Sequence, residues 1–138
     1  MTGMLKAFNQ SLNEICILGE LKGLEVLKVR STGIKVIPKE IGELTNLRLL
    51  DAGDCYYLFD VTLGVISKLT WLEELYIGTD EKNAMSCLGL TEISNLKSIR
   101  ALHLSMNSDG CHIFPEGTYF EKLKEFFFSI FGRQKFFF

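Results

Sequence analysis

The feature that most constrains this chain is the spacing of its apolar residues between positions 44 and 58. The intervals between successive apolar positions are three, three, two, three and three, and the residues are Leu44, Leu47, Leu50, Ala52, Cys55 and Leu58. An amphipathic helix repeats its apolar positions with a period near 3.6, and a half-buried strand repeats them with a period of 2. Here only the Leu50–Ala52 portion alternates as a strand does, and the Cys55 position turns the chain inward. The spacing predicts one coil of a solenoid, which needs neighbouring coils to cover its apolar edge.

The same pattern occurs five times, so the stretch has the neighbours that it needs. The copies start at residues 21, 44, 69, 96 and 120, and they are 23, 25, 27 and 24 residues apart. These intervals fall within the 20–29 residues that are typical of leucine-rich repeats. We therefore predict an α/β solenoid, a fragment of a leucine-rich-repeat horseshoe. A short parallel β-sheet would form its concave face, and the return limbs would be irregular or short helices.

The repeats predict three parts of the chain. Residues 1–20 form an irregular partial repeat whose strand lies around Leu5–Phe8, residues 21–128 form the repeat domain, and residues 129–138 form an aberrant tail. Seven phenylalanines fall within residues 126–138, with no polar capping turn. Because the end of a solenoid needs a polar outer surface to remain soluble, we expect the sequence to be a piece of a longer array.

Each copy predicts which strand residues enter the core and which residue fills the turn after the strand. The inward pairs are Leu27 and Val29, Leu50 and Ala52, Leu75 and Ile77, Leu102 and Leu104, and Phe126 and Phe128. The turn positions are Thr32, Cys55 and Asn107, with Asp80 as a poorer fit in the third copy. A small polar side chain at such a position can bond to backbone groups that the turn buries.

The strand residues between the inward pairs point the other way and are the candidates for binding. These residues are polar or aromatic: Lys28, Asp51, Tyr76, His103 and Phe127. We add Arg30, which directly follows the first inward pair. Solenoids use this concave face for extended contacts, and aromatic residues and arginine are common in protein interfaces. The alternative is a face that is polar only because it meets solvent.

Several other functions find little support in the sequence. The net charge is −2 without a basic block, which disfavours nucleic-acid binding, and no apolar run reaches 18 residues. The start of the chain lacks the pattern of a secretory signal, and the four cysteines are widely spaced, so we expect a cytoplasmic protein with reduced thiols. Phosphate-binding, nucleophile-elbow and zinc-protease motifs are missing, and His103 and His112 have no metal-ligand spacing. We predict a non-enzymatic protein without catalytic residues, metal ligands or a cofactor.

The wording of the repeats adds a resemblance to a family. The segment Ile37-Pro38-Lys-Glu-Ile41-Gly-Glu-Leu44-Thr-Asn-Leu47, with Val65-Ile66-Ser-Lys-Leu69-Thr-Trp-Leu72-Glu-Glu-Leu75-Tyr, resembles the repeat region of plant intracellular disease-resistance proteins. Within them it is similar to the coiled-coil nucleotide-binding leucine-rich-repeat class. The resemblance implies a domain that senses pathogen effectors or guarded host proteins during the defence response.

The resemblance also implies that the domain restrains a nucleotide-binding switch. ADP or ATP would bind to that switch, whose phosphate-binding loop has no counterpart in this sequence. The expected partners are therefore proteins: an effector, a host protein or the nucleotide-binding domain itself. The alternative is a general leucine-rich-repeat signalling scaffold that binds another protein partner.

Overall fold

A computed structural model describes residues 3–6, 18–55, 58, 63–78, 93–106, 119–130 and 133–137. These residues form seven strands: β1 (Gly3–Lys6), β2 (Leu24–Lys28), β3 (Leu49–Ala52), β4 (Glu74–Ile77), β5 (Ala101–Met106), β6 (Glu125–Ile130) and β7 (Arg133–Phe137). All seven belong to one sheet, and they follow one another in sequence order.

Strands β1 to β6 are parallel, and only β7 runs antiparallel to its neighbour. Parallel neighbours require a return connection between each strand and the next. The described parts of these connections include 3-10 helices at Leu18–Glu20 and Lys39–Glu43 and one helical turn, α1, at Leu63–Ile66. Proline favours the extended backbone (φ −64°, ψ 147°) of Pro38, directly before the second 3-10 helix. The predicted solenoid, with a short parallel sheet and short helical return limbs, is confirmed.

The core lies along one face of the sheet. Eight of the predicted inward residues, in or directly after β2 to β5, are buried: Leu27, Val29, Leu50, Ala52, Leu75, Ile77, Leu102 and Leu104. Phe126 packs against this core but is only partly buried. The repeat pattern therefore predicts these eight core residues correctly, and Phe126 is less covered than they are, while the side chain of Phe128 lies outside the described part of the structure.

One apolar repeat position departs from the core. Leu21 is 42% exposed, whereas its counterparts Leu44, Leu69 and Leu96 are fully buried. All four occupy the same turn, since the backbone N–H three residues further on donates to each carbonyl. Periodicity thus identifies a position within the repeat, but burial also depends on how neighbouring repeats pack around it.

A second ladder of backbone hydrogen bonds joins the repeats where the chain enters the strands. Arg48 N donates to Glu25 O, Glu73 N to Arg48 O, and Arg100 N to Glu73 O, each at 2.7 Å, and Lys124 N donates to Arg100 O at 2.8 Å. These bonds satisfy polar backbone groups just outside the sheet. They hold equivalent residues of successive repeats next to one another.

Strands β1 and β7 lie in the two terminal parts that the sequence analysis separated from the repeat domain. In β1, Leu5 is aligned with Leu27, and the strand begins at Gly3, earlier than the expected Leu5–Phe8. At the other end β6 continues to Ile130, past the predicted boundary at residue 128, and the tail contributes β7. The division into parts at residues 20 and 128 stays a prediction.

A candidate protein-binding face

Five of the predicted binding residues form one row across the sheet. Strand pairing aligns Lys28 with Asp51, Asp51 with Tyr76, Tyr76 with His103, and His103 with Phe127. Each lies between two inward residues of its strand, so its side chain leaves the sheet on the side opposite the core. All five are partly exposed. We call them the outer row.

The first half of this face is held together by ion pairs. The Arg30 Nε atom donates to both carboxylate oxygens of Asp51, at 3.0 and 3.1 Å, and Arg30 Nη1 donates to Asp54 Oδ2. The hydrogen bond to Asp51 is the main reason why the pKa of Arg30 is raised. Asp51 Oδ1 also accepts the backbone N–H of Gly53 at 3.0 Å. We call Arg30, Asp51 and Asp54, with Lys28 beside Asp51 in the strand register, the ion-pair half.

A glycine makes room for the arginine in this arrangement. A Cβ atom added at Gly53 would lie 2.5 Å from Arg30 Cζ, closer than non-bonded carbon atoms approach in proteins. The guanidinium group therefore lies directly over the backbone of the neighbouring strand. Any side chain at Gly53 would displace it.

Two equivalent turns carry the chain away from the ends of β2 and β3. Ser31 (φ 57°) and Asp54 (φ 52°) occupy the same position in successive repeats, and both have left-handed backbone. Aspartate tolerates this conformation better than most residues. Because this turn places its side chain beside Arg30, Asp54 joins the ion-pair half. Strand periodicity alone does not identify it, although the Gly-Asp pair at a strand end is a turn signal.

The next residue of each turn is a small side chain that meets buried backbone groups, as predicted for Thr32 and Cys55. Thr32 Oγ1 donates to the Val29 carbonyl at 2.7 Å, and Cys55 Sγ donates to the same carbonyl at 3.2 Å. Both side chains are almost fully buried, and burial raises the pKa of the Cys55 thiol. The prediction is confirmed for these two positions, while Asp80 and Asn107 lie outside the described residues.

The second half of the face is aromatic. The ring centroids of Tyr76 and His103 lie 4.7 Å apart with a 53° tilt, and those of His103 and Phe127 lie 5.5 Å apart with a 30° tilt. Tyr76 Oη donates to Glu74 Oε2 at 2.8 Å, and His103 Nε2 contacts Glu125 Oε1. Desolvation, followed by the hydrogen bond to Glu74, raises the pKa of Tyr76. We call these five residues the aromatic half.

A shallow groove of about 150 Å³ joins the two halves. Its walls include Arg30, Tyr76, His103 and Phe127, and Gly53 and Gly78 keep its floor low. At Gly78 an added Cβ would meet Asp54 N at 3.5 Å and Ser105 Cβ at 3.6 Å, which are ordinary contact distances. The groove is large enough for a side chain of a partner, not for an extended cofactor.

The face offers charged groups and aromatic rings. Within the described ranges, no three His, Cys, Asp or Glu residues are grouped to hold a metal ion. In the same ranges, no helix has both the length and the apolar character needed to cross a bilayer.

A comparison with known families agrees with this geometry. A family model described as a leucine-rich repeat region matches residues 9–133. The chain therefore belongs to the leucine-rich repeat proteins, whose repeats typically serve as non-enzymatic modules that bind other proteins. No curated protein matches the sequence at a significant level.

Proposed function

We propose that the outer row, together with Arg30, is the contact surface of a protein-recognition module. The observation that carries the proposal is the alignment of Lys28, Asp51, Tyr76, His103 and Phe127 in neighbouring strands. Such a row presents side chains at the spacing between strands, about 4.8 Å, to a polypeptide that lies across the sheet.

The aromatic half is the energetic centre of this surface. Tyrosine and other aromatic side chains bury large areas at low entropic cost and are common among the residues that dominate binding. Tyr76 and His103 stack on each other, and carboxylates fix both polar ends. Their positions are set before a partner arrives, which lowers the entropic cost of binding.

We further propose that the module belongs to a plant intracellular immune receptor. The wording of residues 37–76 supports this proposal, because it resembles the repeats of the coiled-coil nucleotide-binding class. In such a receptor the surface would sense a pathogen effector or a guarded host protein in the cytoplasm. It would also restrain a nucleotide-binding domain, and ADP or ATP would bind to that domain and not to these repeats.

The experiment is capture of partners by the immobilised chain. Wild type and the double variant Tyr76→Ala/His103→Ala are exposed to a plant cell extract that also contains candidate effectors, and bound proteins are identified by mass spectrometry. Tyr119→Ala serves as the matched control, because it removes an aromatic ring that is 72% exposed and outside the outer row. Thermal unfolding of all three chains verifies that they are folded.

We expect a protein that is enriched by wild type and by Tyr119→Ala and lost with the double variant. Retention of every partner by a folded double variant would disprove the assignment of the contact surface. A captured set without an effector, a defence protein or a nucleotide-binding domain would leave the surface assigned but contradict the immune role.

A further inference from the structure

A second depression in the described part of the chain lies away from the outer row. It measures about 560 Å³, and its wall is the indole of Trp71, which is 60% exposed. It shares no lining residue with the groove of the outer row. It lies at the edge where the chain enters the strands, beside the backbone ladder that joins Glu73, Arg100 and Lys124.

The depression arises because the side chain two residues after the start of each copy differs in size from one copy to the next. In the second repeat this position is Asn46, whose Nδ2 atom donates to the Lys22 carbonyl at 2.8 Å. The third repeat has Trp71 there, the fourth has the small Ser98, and the fifth has Lys122. The indole therefore stands next to a short side chain, with Ser98 and Lys122 lining the space beside it.

Positively charged side chains outnumber negatively charged ones in the lining of this depression. Glu73 is bound by Arg48 at 3.2 Å and by Arg100 at 3.6 Å, so arginines already compensate its charge. Lys122 and Lys124 line the depression, and neither has an ion-pair partner among the residues that the structure describes. With Glu121 as the remaining acid in the lining, the depression has an excess of positive charge.

We propose that this depression binds an acidic peptide segment. An aromatic or aliphatic side chain of the peptide stacks on Trp71, and flanking carboxylates pair with Lys122 and Lys124. Two observations select this ligand: an exposed ring that gains from being covered, and two lysines that lack a described partner. A polyphosphate or nucleic acid fits less well, because Glu121 faces the same space and the chain has a net charge of −2. The proposal stands independently of the outer row.

Intrinsic fluorescence tests the proposal directly, because Trp71 is the only tryptophan of the sequence. The probe is the blocked hexapeptide Glu-Phe-Glu-Glu-Phe-Glu, and its counterpart carries lysine at every glutamate position. We expect saturable binding of the acidic peptide with a change in tryptophan emission, weaker binding at high salt, and little binding of the basic peptide. The variant Lys122→Glu/Lys124→Glu should weaken binding by about tenfold or more, since two attractive charges become repulsive.

Further variants keep the test decisive. Lys122→Gln/Lys124→Gln removes the charges without reversing them and should give an intermediate affinity, and circular dichroism verifies folding of each variant. Tyr76→Ala/His103→Ala should bind the acidic peptide as wild type does, so this test can fail independently of the proposed function.

Three results with the peptides would overturn the proposal, and a nucleic-acid control adds a fourth. They are an emission spectrum that the acidic peptide does not change at millimolar concentration, equal affinity for the basic peptide, and equal affinity of a folded lysine double variant. Tighter binding of hexathymidylate than of the acidic peptide would replace the peptide by a nucleic acid and would equally reject it.

Discussion

The two halves of the outer face satisfy their polar groups in different ways. In the ion-pair half, Arg30 is paired with both Asp51 and Asp54 and lies over Gly53, so carboxylates of the protein already compensate its charge. In the aromatic half, the polar ends of Tyr76 and His103 each bond a carboxylate, and both residues remain partly exposed to solvent. One half stabilises the strand ends, and the other keeps surface that a partner can cover.

A row of aligned residues is therefore not uniform in function. A charge that is already paired within the protein contributes little new energy on binding, because its partners are already present. An exposed ring surface contributes binding free energy when a partner covers it and removes it from water. We therefore expect mutations in the ion-pair half to affect mainly folding and those in the aromatic half to affect mainly binding.

The largest effect on stability is expected for Asp51→Ala. This carboxylate accepts hydrogen bonds from Arg30 and from the Gly53 N–H, and its side chain is 13% exposed. Its loss leaves the N–H without its acceptor, which we expect to lower the free energy of unfolding by about 2 kcal/mol. Urea unfolding measures the change. Glu74→Ala, which removes one acceptor in the aromatic half, is the matched control and should cost about 0.5 kcal/mol; equal costs would contradict the division.

A smaller effect is expected from a methyl group at Gly53. Gly53→Ala displaces the guanidinium of Arg30, and we expect it to be less stable than Gly78→Ala by about 1 kcal/mol, the scale of a partly exposed ion pair. The same glycine-to-alanine change at Gly78 meets only ordinary contacts. Chemical unfolding of both variants is then repeated in the Arg30→Ala background. If the difference persists there, the arginine is not its cause.

The stacking of Tyr76 on His103 should contribute about 0.5–1 kcal/mol. A double-mutant cycle with Tyr76→Ala, His103→Ala and the combined variant isolates this coupling energy. A parallel cycle with Lys28 and Tyr76, which have no described contact with each other, should give a value near zero. Similar values from both cycles would show that the aromatic half is not coupled in the way that its geometry indicates.

The smallest effect concerns alkaline pH. Burial raises the pKa of Cys55, so the folded chain keeps a proton that the unfolded chain releases above about pH 8.5. This contribution to stability is complete below that pH and is lost as the pH rises above it. The pKa of Tyr76 is raised as well, so the contribution of Tyr76 to stability is lost as the pH rises above about 10.

Unfolding measured from pH 7 to pH 11 separates the two groups. Compared with wild type, Cys55→Ser should flatten the first decline and Tyr76→Phe the second. A wild-type curve that Cys55→Ser leaves unchanged in shape would show that the thiol does not remain protonated in the folded protein.

Much of this molecule follows from its apolar spacing. The Leu-x-Leu pairs predict the strands, the interval between repeats predicts parallel neighbours, and together they predict which residue lies opposite which, as for Tyr76 and His103. The turn position after the strand predicts that Thr32 and Cys55 bond to buried backbone. These features are local or periodic, and a periodic pattern encodes its own register.

The tertiary structure decided the features that depend on particular neighbours in adjacent repeats. It placed Asp54 beside Arg30, exposed Leu21 although its equivalents are buried, and left Trp71 beside Ser98 with open space between them. None of these depends on hydrophobic period. Each surface contact involves particular side chains of neighbouring repeats, so their sizes, charges and turn geometry determine the chemistry of the surface. The period determines only that the sheet and its outer face form.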